Sequence, residues 1–546
     1  MNSRNDNKSF LIRLLGTGAA LMVGLGDVHL FDWDEINFAE ITREMCITHC
    51  YSHVQVDFAP FYEKPPLFFW LQALSMQLGG VNAFSARFPN VVTGLLTVAT
   101  LYKIGTHYQD RTFGLLWAAL HTSALLPHFY FRTGIIDPVF NYWVLVSIYA
   151  WVRAQHSPSQ RTACLWALQG GLTTGLAVLT KGPVGWLITC LTSGLYSFKL
   201  QPRSAPYSQL IPIFSTFALG IPLLWLGHET WHHGWAFLQA FTQYHIDLFS
   251  QPVAHHGQPV YYHFLVVFVG CFPASVLSLG SFYRPTWHGR LPLFSVMQAL
   301  FWVVMILFSL ATTKIVHYSS LAYFPVTWLA AHYLYAVGTR RTTPTQPLKY
   351  MLCAMGIGIG AVLAALPVIG LYKALLYKWV SDPFTRALIA TPVAWAWRDT
   401  LVGVIYIVLT TWAYRAFCRL SVMSFARLSS LATTLSLMLG TLWIVPKIEA
   451  HVQGPAIAFY KACAGQAVYV RTVGFKSYAH LFYTRKGQAD EPISRDIATL
   501  LTGPIDRPAY FVVRVTDQGL LAAYQDVVYL KKEGGFAFYK RAPASY

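Results

Sequence analysis

The residues best suited to chemistry are carboxylates gathered in one short stretch. Segment 31–64 holds Asp32, Asp34, Glu35, Glu40, Glu44, Asp57 and Glu63. Carboxylates set among aromatic residues suit proton transfer, metal binding or the stabilisation of a developing positive charge. In Asp34-Glu35-Ile36-Asn37-Phe38-Ala39-Glu40-Ile41-Thr42-Arg43-Glu44-Met45, the residues Ile36, Ala39, Thr42 and Met45 keep an i, i+3 step. That spacing predicts a short helix lying on a membrane surface, with Asp34 and Glu35 at its positive N-terminus. A catalytic role and a mere capping role are both open for the two carboxylates. Glu63-Lys64 precedes Pro65-Pro66 and an apolar helix over 67–78. A carboxylate and an ammonium beside a helix N-terminus suit a metal or an anionic headgroup, and equally a snorkelling interfacial pair. Asp137-Pro138 opens an apolar run, where an unpaired Asp is expensive, and Arg132 is the expected partner. Thr180-Lys181-Gly182-Pro183 lacks the glycine spacing of a P-loop, and Lys314 with His317-Tyr318 puts a cation at the outer end of another apolar run.

Two clusters suggest metal chemistry. Cys46, His49, Cys50 and His53 share one helical face if the helix continues that far. Four ligands on one short helix cannot surround a tetrahedral ion without a break, so zinc, a disulfide and neither all stay open. The loop 228–260 holds His228, His232, His233, His245, His255 and His256, which suit phosphate when charged and metal when neutral.

The elements that must position these groups are membrane helices. The chain has 546 residues, 55% hydrophobic and only 12% charged, with a mean hydropathy of +0.42. A soluble chain carries about 25% charged residues. Apolar runs long enough to cross a bilayer recur near 10–29, 86–105, 112–130, 136–154, 163–181, 183–200, 209–228, 260–282, 293–312, 317–337, 351–371, 401–418 and 430–446, about thirteen in all. The net charge of +17 follows from this plan and is no nucleic-acid footprint. Arg4, Lys8, Arg13, Arg111, Arg153, Arg161, Lys199, Arg203, Arg284, Arg290, Arg340, Arg341, Lys349, Arg415, Arg419 and Arg427 fall in every second loop. The positive-inside rule makes those loops and the N-terminus cytoplasmic. The carboxylates and the C-terminus then face outward. The expected domains are a membrane domain over 1–446, with a juxtamembrane catalytic segment at 31–80, and a small α/β domain over 447–546. In the latter, strands are expected at 467–471, 508–515 and 526–540, a helix at 477–484 and a turn at Glu533-Gly534-Gly535.

In this order and on this topology, the motifs resemble the bacterial aminoarabinose transferase branch of the protein-O-mannosyltransferase-like superfamily. The resemblance is carried by Asp34-Glu35 with Phe38 to Met45, Glu63-Lys64-Pro65-Pro66-Leu67 and Phe69-Trp70-Leu71-Gln72-Ala73-Leu74. It continues through Val81-Asn82-Ala83-Phe84-Ser85-Ala86-Arg87-Phe88-Pro89, Asp137-Pro138, Leu179-Thr180-Lys181-Gly182-Pro183-Val184-Gly185, and Lys314 with His317-Tyr318. It implies a GT-C fold of thirteen membrane helices with juxtamembrane helices and a C-terminal periplasmic domain. It also implies sugar transfer from an undecaprenyl-phosphate carrier to lipid A or another acceptor at the periplasmic face of the bacterial inner membrane. Asp34, Glu35 and Asp137 are then expected at the catalytic centre. Lys64, Arg43, Lys181, His245, His256, Lys314 and His317 are expected at the donor and its phosphate, and Glu63 at a divalent metal. Two positions depart from the family pattern: Asn37 stands where an arginine is usual, and Leu248 where a cation is expected. A hexose or mannose donor, or a protein or glycan acceptor, is the nearest alternative. A lipid or sugar transporter is the alternative of another class, but no internal repeat is found and the carboxylates gather at outer loops rather than at mid-membrane.

Overall fold

The protein is described by a computed structural model over residues 3–198, 205–251, 257–283, 292–488 and 495–543. It is a helical membrane protein. Among the described residues, six helices are long and apolar enough to cross a bilayer: Gln160–Lys181, Tyr207–His233, Pro292–Leu310, Gln346–Leu371, Trp397–Cys418 and Val422–Trp443. Their outer faces carry exposed Leu224, Val362 and Val408, which water would not tolerate as a continuous belt but lipid does. Each of the other expected apolar runs also falls on a helix or helix pair, among them Ala83–Tyr108 and Asp137–Gln155.

Two runs differ from simple spans. The run over 260–282 is a broken pair, Tyr262–Gly270 and Ala274–Phe282, bent by 110°. Pro273 sits at the break, where its missing N–H and its ring end the preceding helix. The run expected over 317–337 begins with a 3-10 turn, Val316–Ala322, and becomes α-helical only over Tyr323–Gly338. That tighter turn carries His317 and Tyr318 along a cavity wall instead of winding them into the helix.

The juxtamembrane helix Asp34–Thr48 ends where His49 takes the left-handed conformation. Its interior is charged but matched. Arg43 makes a two-pronged bond to Glu40, with both distances 2.7 Å. Glu44 accepts the N–H groups of Asp57 and Phe58 at 2.7 and 2.8 Å, fixing a ribbon of Gln55–Val56 paired with Ala59–Pro60. Burial, together with the neighbouring Glu40, pushes the Glu44 carboxyl up to about 9, so this stack holds a proton at neutral pH. As expected, Pro66 precedes the next helix, Leu67–Gly79.

The last part of the chain forms a four-stranded sheet. Tyr469–Val473 runs parallel to Ala509–Arg514, which pairs antiparallel with Phe536–Arg541, itself paired with Val527–Glu533. The hairpin turns at Gly534, whose φ of 57° suits glycine. This sheet packs directly on the juxtamembrane helix. Ile36, Ala39 and Met76 share one apolar cluster with Phe482, Val512 and Phe538. Polar contacts stitch the same seam: Asp57 pairs with Lys486 and Arg471, and Leu30 N–H donates to the Tyr483 hydroxyl.

Candidate active site

The juxtamembrane helix, the Glu63-Lys64 loop and the 3-10 turn enclose a cavity of about 750 Å³. Its wall includes Asp34, Glu63, Lys64, Lys181 and His317, five residues singled out by the sequence. Asp34 stands at the open N-terminus of its helix, with about a third of its side chain exposed. His317 Nε2 lies 3.4 Å from an Asp34 carboxylate oxygen and 3.7 Å from one of Asp137. The other Asp137 oxygen meets Lys181 Nζ at 2.5 Å. Asp34, His317, Asp137 and Lys181 therefore form one line of polar side chains reaching inward from the cavity.

Local structure explains how Lys181 gets there. The helix Gln160–Lys181 stops at Gly182, whose φ of 94° suits a residue without a side chain. Pro183 then leads into the next helix, Val184–Ser197. Lys181 is thus presented from a helix C-terminus, where a cation is favoured.

Lys64 lines the same cavity. Its ammonium donates to the Tyr244 hydroxyl at 3.0 Å and sits 4.7 Å from that ring's centre. Burial alone would lower its pKa, but Tyr244, Tyr318 and Glu63 outweigh burial and raise it, so the ammonium stays charged. A fixed cation at a roomy cavity is what an anionic phosphate requires.

Glu35 is different. One of its oxygens accepts from Arg87 Nε and Gly134 N–H, both at 2.7 Å. The other accepts from Arg87 Nη2 at 2.8 Å and Phe31 N–H at 3.0 Å. Arg87 spends its remaining donors on the carbonyls of Leu25, Val28 and His29. Although burial works the other way, Arg87 holds the Glu35 carboxyl below its ordinary range. With all four acceptor directions used, Glu35 is a clamp between segments and not a base.

Several expected placements are corrected. Arg43 is 3% exposed, is bound by Glu40 and does not line the cavity. Lys314 turns its ammonium onto the Ala311 carbonyl at 2.6 Å, closing the end of a helix. His245 packs behind Gly182 and bonds the Phe241 carbonyl at 2.8 Å. Arg132 is not the partner of Asp137; it binds the carbonyls of Ala20 and Val23. His255 and His256 lie outside the described residues. Every described cysteine is free, Cys46 and Cys50 included. The helix ends at Thr48, so the four-ligand set on one face never forms. Among the described residues, no set of three metal-ligating side chains includes Glu63.

The cavity also has walls that sequence reading missed. Tyr244 frames Lys64 beside the already noted Tyr318, while Lys476 and Tyr478 enter from the C-terminal part. Asp32 stands at the rim and accepts from the Ser477 hydroxyl at 3.0 Å. Its side chain borders open space but is flanked by protein, and the resulting desolvation pushes its carboxyl up to about 6. Asn37 and Leu248, the two departures from the family pattern, both face this cavity.

Residues 63–219 match the family described as dolichyl-phosphate-mannose-protein mannosyltransferase. The undecaprenyl phosphate-alpha-4-amino-4-deoxy-L-arabinose arabinosyl transferase of Pseudomonas aeruginosa (strain UCBPP-PA14) is 28% identical over 422 residues, 75% of each chain. The enzyme of that name from Erwinia tasmaniensis is 24% identical over 404 residues, 72% of this chain and 71% of that one. The crystal structure of ArnT from Cupriavidus metallidurans bound to undecaprenyl phosphate superposes with a TM-score of 0.76 at 17% identity, covering 97% of this chain and 98% of that one. The chain is thus similar to glycosyltransferases of the protein-O-mannosyltransferase-like kind. The fold is accordingly that of the crystallised ArnT, with the cavity at the junction of membrane helices, the helix Asp34–Thr48 and the C-terminal sheet.

Proposed function

We propose that this protein is a glycosyltransferase that moves a sugar from an undecaprenyl-phosphate donor to an acceptor at the periplasmic face of the bacterial inner membrane. In its most specific form it transfers 4-amino-4-deoxy-L-arabinose to lipid A. The observation that carries the reading is the cavity itself, with the Lys64 ammonium on one wall and Asp34 with His317 on another. The leaving group is a lipid phosphate. Lys64, held by Tyr244, supplies the positive charge that the departing oxygens need, and Lys476 adds to it. Asp34 is a carboxylate with free acceptor capacity at the cavity, and it stabilises the sugar carbon as positive charge develops there. A lipid A phosphate is already ionised near neutral pH, so Asp34 orients it rather than deprotonating it. Asp137, anchored by Lys181, keeps His317 turned toward Asp34. Thirteen spans, a cytoplasmic N-terminus and a periplasmic C-terminus complete the proposed topology.

A hydroxyl-bearing acceptor, on protein or glycan, is the second reading. The observation favouring it is the 3.4 Å Asp34–His317 pair, a base geometry that a phosphate acceptor does not need. Lipid A mass spectra from a host expressing the chain test both. A pentosamine increment that disappears with Asp34→Asn supports the first reading. No increment with the wild-type chain removes lipid A as acceptor, and an increment that survives Asp34→Asn removes the role of Asp34. A C-terminal reporter found on the cytoplasmic side would overturn the topology.

A further inference from the structure

Outside the cavity, the structure gathers a second group of chemistry-bearing side chains. His228-Glu229-Thr230-Trp231-His232-His233 closes the long helix Tyr207–His233. The pairs His228/His232 and Glu229/His233 are each four residues apart, which stacks them on neighbouring faces of the last turn. His53, from the loop after the juxtamembrane helix, is brought against that turn. The loop is held there by Trp225, whose indole N–H donates to the Ser52 carbonyl at 3.3 Å. His53 Nδ1 lies 2.7 Å from a Glu229 oxygen and 3.2 Å from His233 Nε2, and His233 Nε2 lies 3.9 Å from the other Glu229 oxygen.

Three donor atoms converging in this way is the signature of a shared ligand. A tetrahedral ion bonded at about 2.0–2.1 Å to nitrogen or oxygen separates its ligand atoms by about 3.3 Å, the size of this triangle. One ring proton on His53 Nδ1 cannot satisfy both neighbours, whereas a cation satisfies all three. Glu229 is almost completely buried, at 2% exposure, and a carboxylate so placed demands a cationic partner.

We infer that His53, Glu229 and His233 form a binding site for one divalent transition-metal ion of the zinc class, outside the transfer cavity. The fourth position falls to water. His228 and His232 flank the site, and with His53 they make up a second overlapping set. The ring of His228 stacks face to face on His53, 14° from parallel. Parallel rings do not aim their in-plane lone pairs at one point, whereas His233 meets His53 edge-on at 82°. The bound ion joins the loop after the juxtamembrane helix to the end of a membrane helix. His233 also packs on Tyr62, the residue before Glu63-Lys64, so the ion braces the base of the loop that carries Lys64. Metal binding itself does not depend on the transferase reading.

The test uses the full chain, purified in detergent through a tag without histidine, stripped with chelator and equilibrated with micromolar Zn²⁺. Elemental analysis after desalting is expected to find about one zinc per chain, and zinc but not Mg²⁺ is expected to raise the unfolding temperature. His53→Ala, His233→Ala and Glu229→Gln are each expected to weaken zinc binding at least about tenfold, while His228→Ala and His232→Ala retain it. Glu229 is buried, so if Glu229→Gln fails to fold, the half-exposed His233→Ala carries the test. Sub-stoichiometric zinc in the wild type, undiminished zinc in His53→Ala and His233→Ala, or an equal response to Mg²⁺ would overturn the inference. Loss confined to His228→Ala and His232→Ala would overturn the ligand assignment.

Discussion

Asp34 and Glu35 are neighbours in the chain, carry the same charge and sit on the same helical turn. A rotation of one residue separates their roles. Glu35 faces inward, where Arg87 and two backbone N–H groups use every acceptor direction it has. Asp34 faces the cavity and keeps only a long contact to His317. The comparison teaches that a carboxylate's role follows from its unspent hydrogen-bonding capacity, which adjacency in sequence does not reveal. A saturated carboxylate holds structure, and an unsaturated one at a cavity is free for substrate.

The sharpest way to break this comparison is to remove each charge in turn. Asp34→Asn is expected to lower transfer about 10²–10⁴-fold and to leave the unfolding temperature nearly unchanged; equal losses of fold and activity would erase the distinction. Glu35→Gln should act oppositely. It strands the buried Arg87 charge, at a cost of about 3–5 kcal/mol, seen as a lower unfolding temperature in detergent. Pairing it with Arg87→Met should restore part of that loss.

A smaller effect tests the seam to the C-terminal sheet. Asp57→Asn removes the partner of Lys486 and Arg471, with an expected cost of about 1–3 kcal/mol and faster proteolysis within 469–541. Burial works the other way, but Lys486 and Arg471 hold the Asp57 carboxyl below its ordinary value. The stability from this contact is therefore complete above the ordinary carboxylate range and lost as pH falls through the lowered pKa.

The smallest effect belongs to Asp32. Its pKa is raised to about 6, so folding binds its proton more tightly and stability falls as pH rises from the usual Asp range through 6. Asp32→Asn should raise the unfolding temperature by about one or two degrees at pH 8, with no gain at pH 4. The same gain at both pH values would remove this account.

The sequence made much of the site legible because its chemistry is local. Asp34, Glu63 with Lys64, and Lys181 each stand at a helix end that Pro, Gly or a carboxylate announces, and those signals survive without coordinates. Arg43, Lys314 and His245 share those residue types, but their partners are a helix neighbour or a backbone carbonyl, and no residue type declares which it will choose. Tyr244, Lys476 and Tyr478 were invisible because only tertiary packing brings them to Lys64 and Asp34. The sheet was read nearly strand for strand from alternation and the Gly534-Gly535 turn. Its docking on the juxtamembrane helix was not read, since apolar residues such as Ile36 and Phe482 carry no address.

That docking bears on how the protein is made. Lys476, Ser477 and Tyr478 complete a chamber whose other walls begin at Phe31. During synthesis the early walls wait for most of the chain before the last one arrives. Until then, Lys64 and Asp34 face an open cleft, and a reactive lipid-linked sugar bound there would meet water as readily as its acceptor. The order of the residues therefore acts as a timer: the chamber gains its last wall only once Tyr478 has been made.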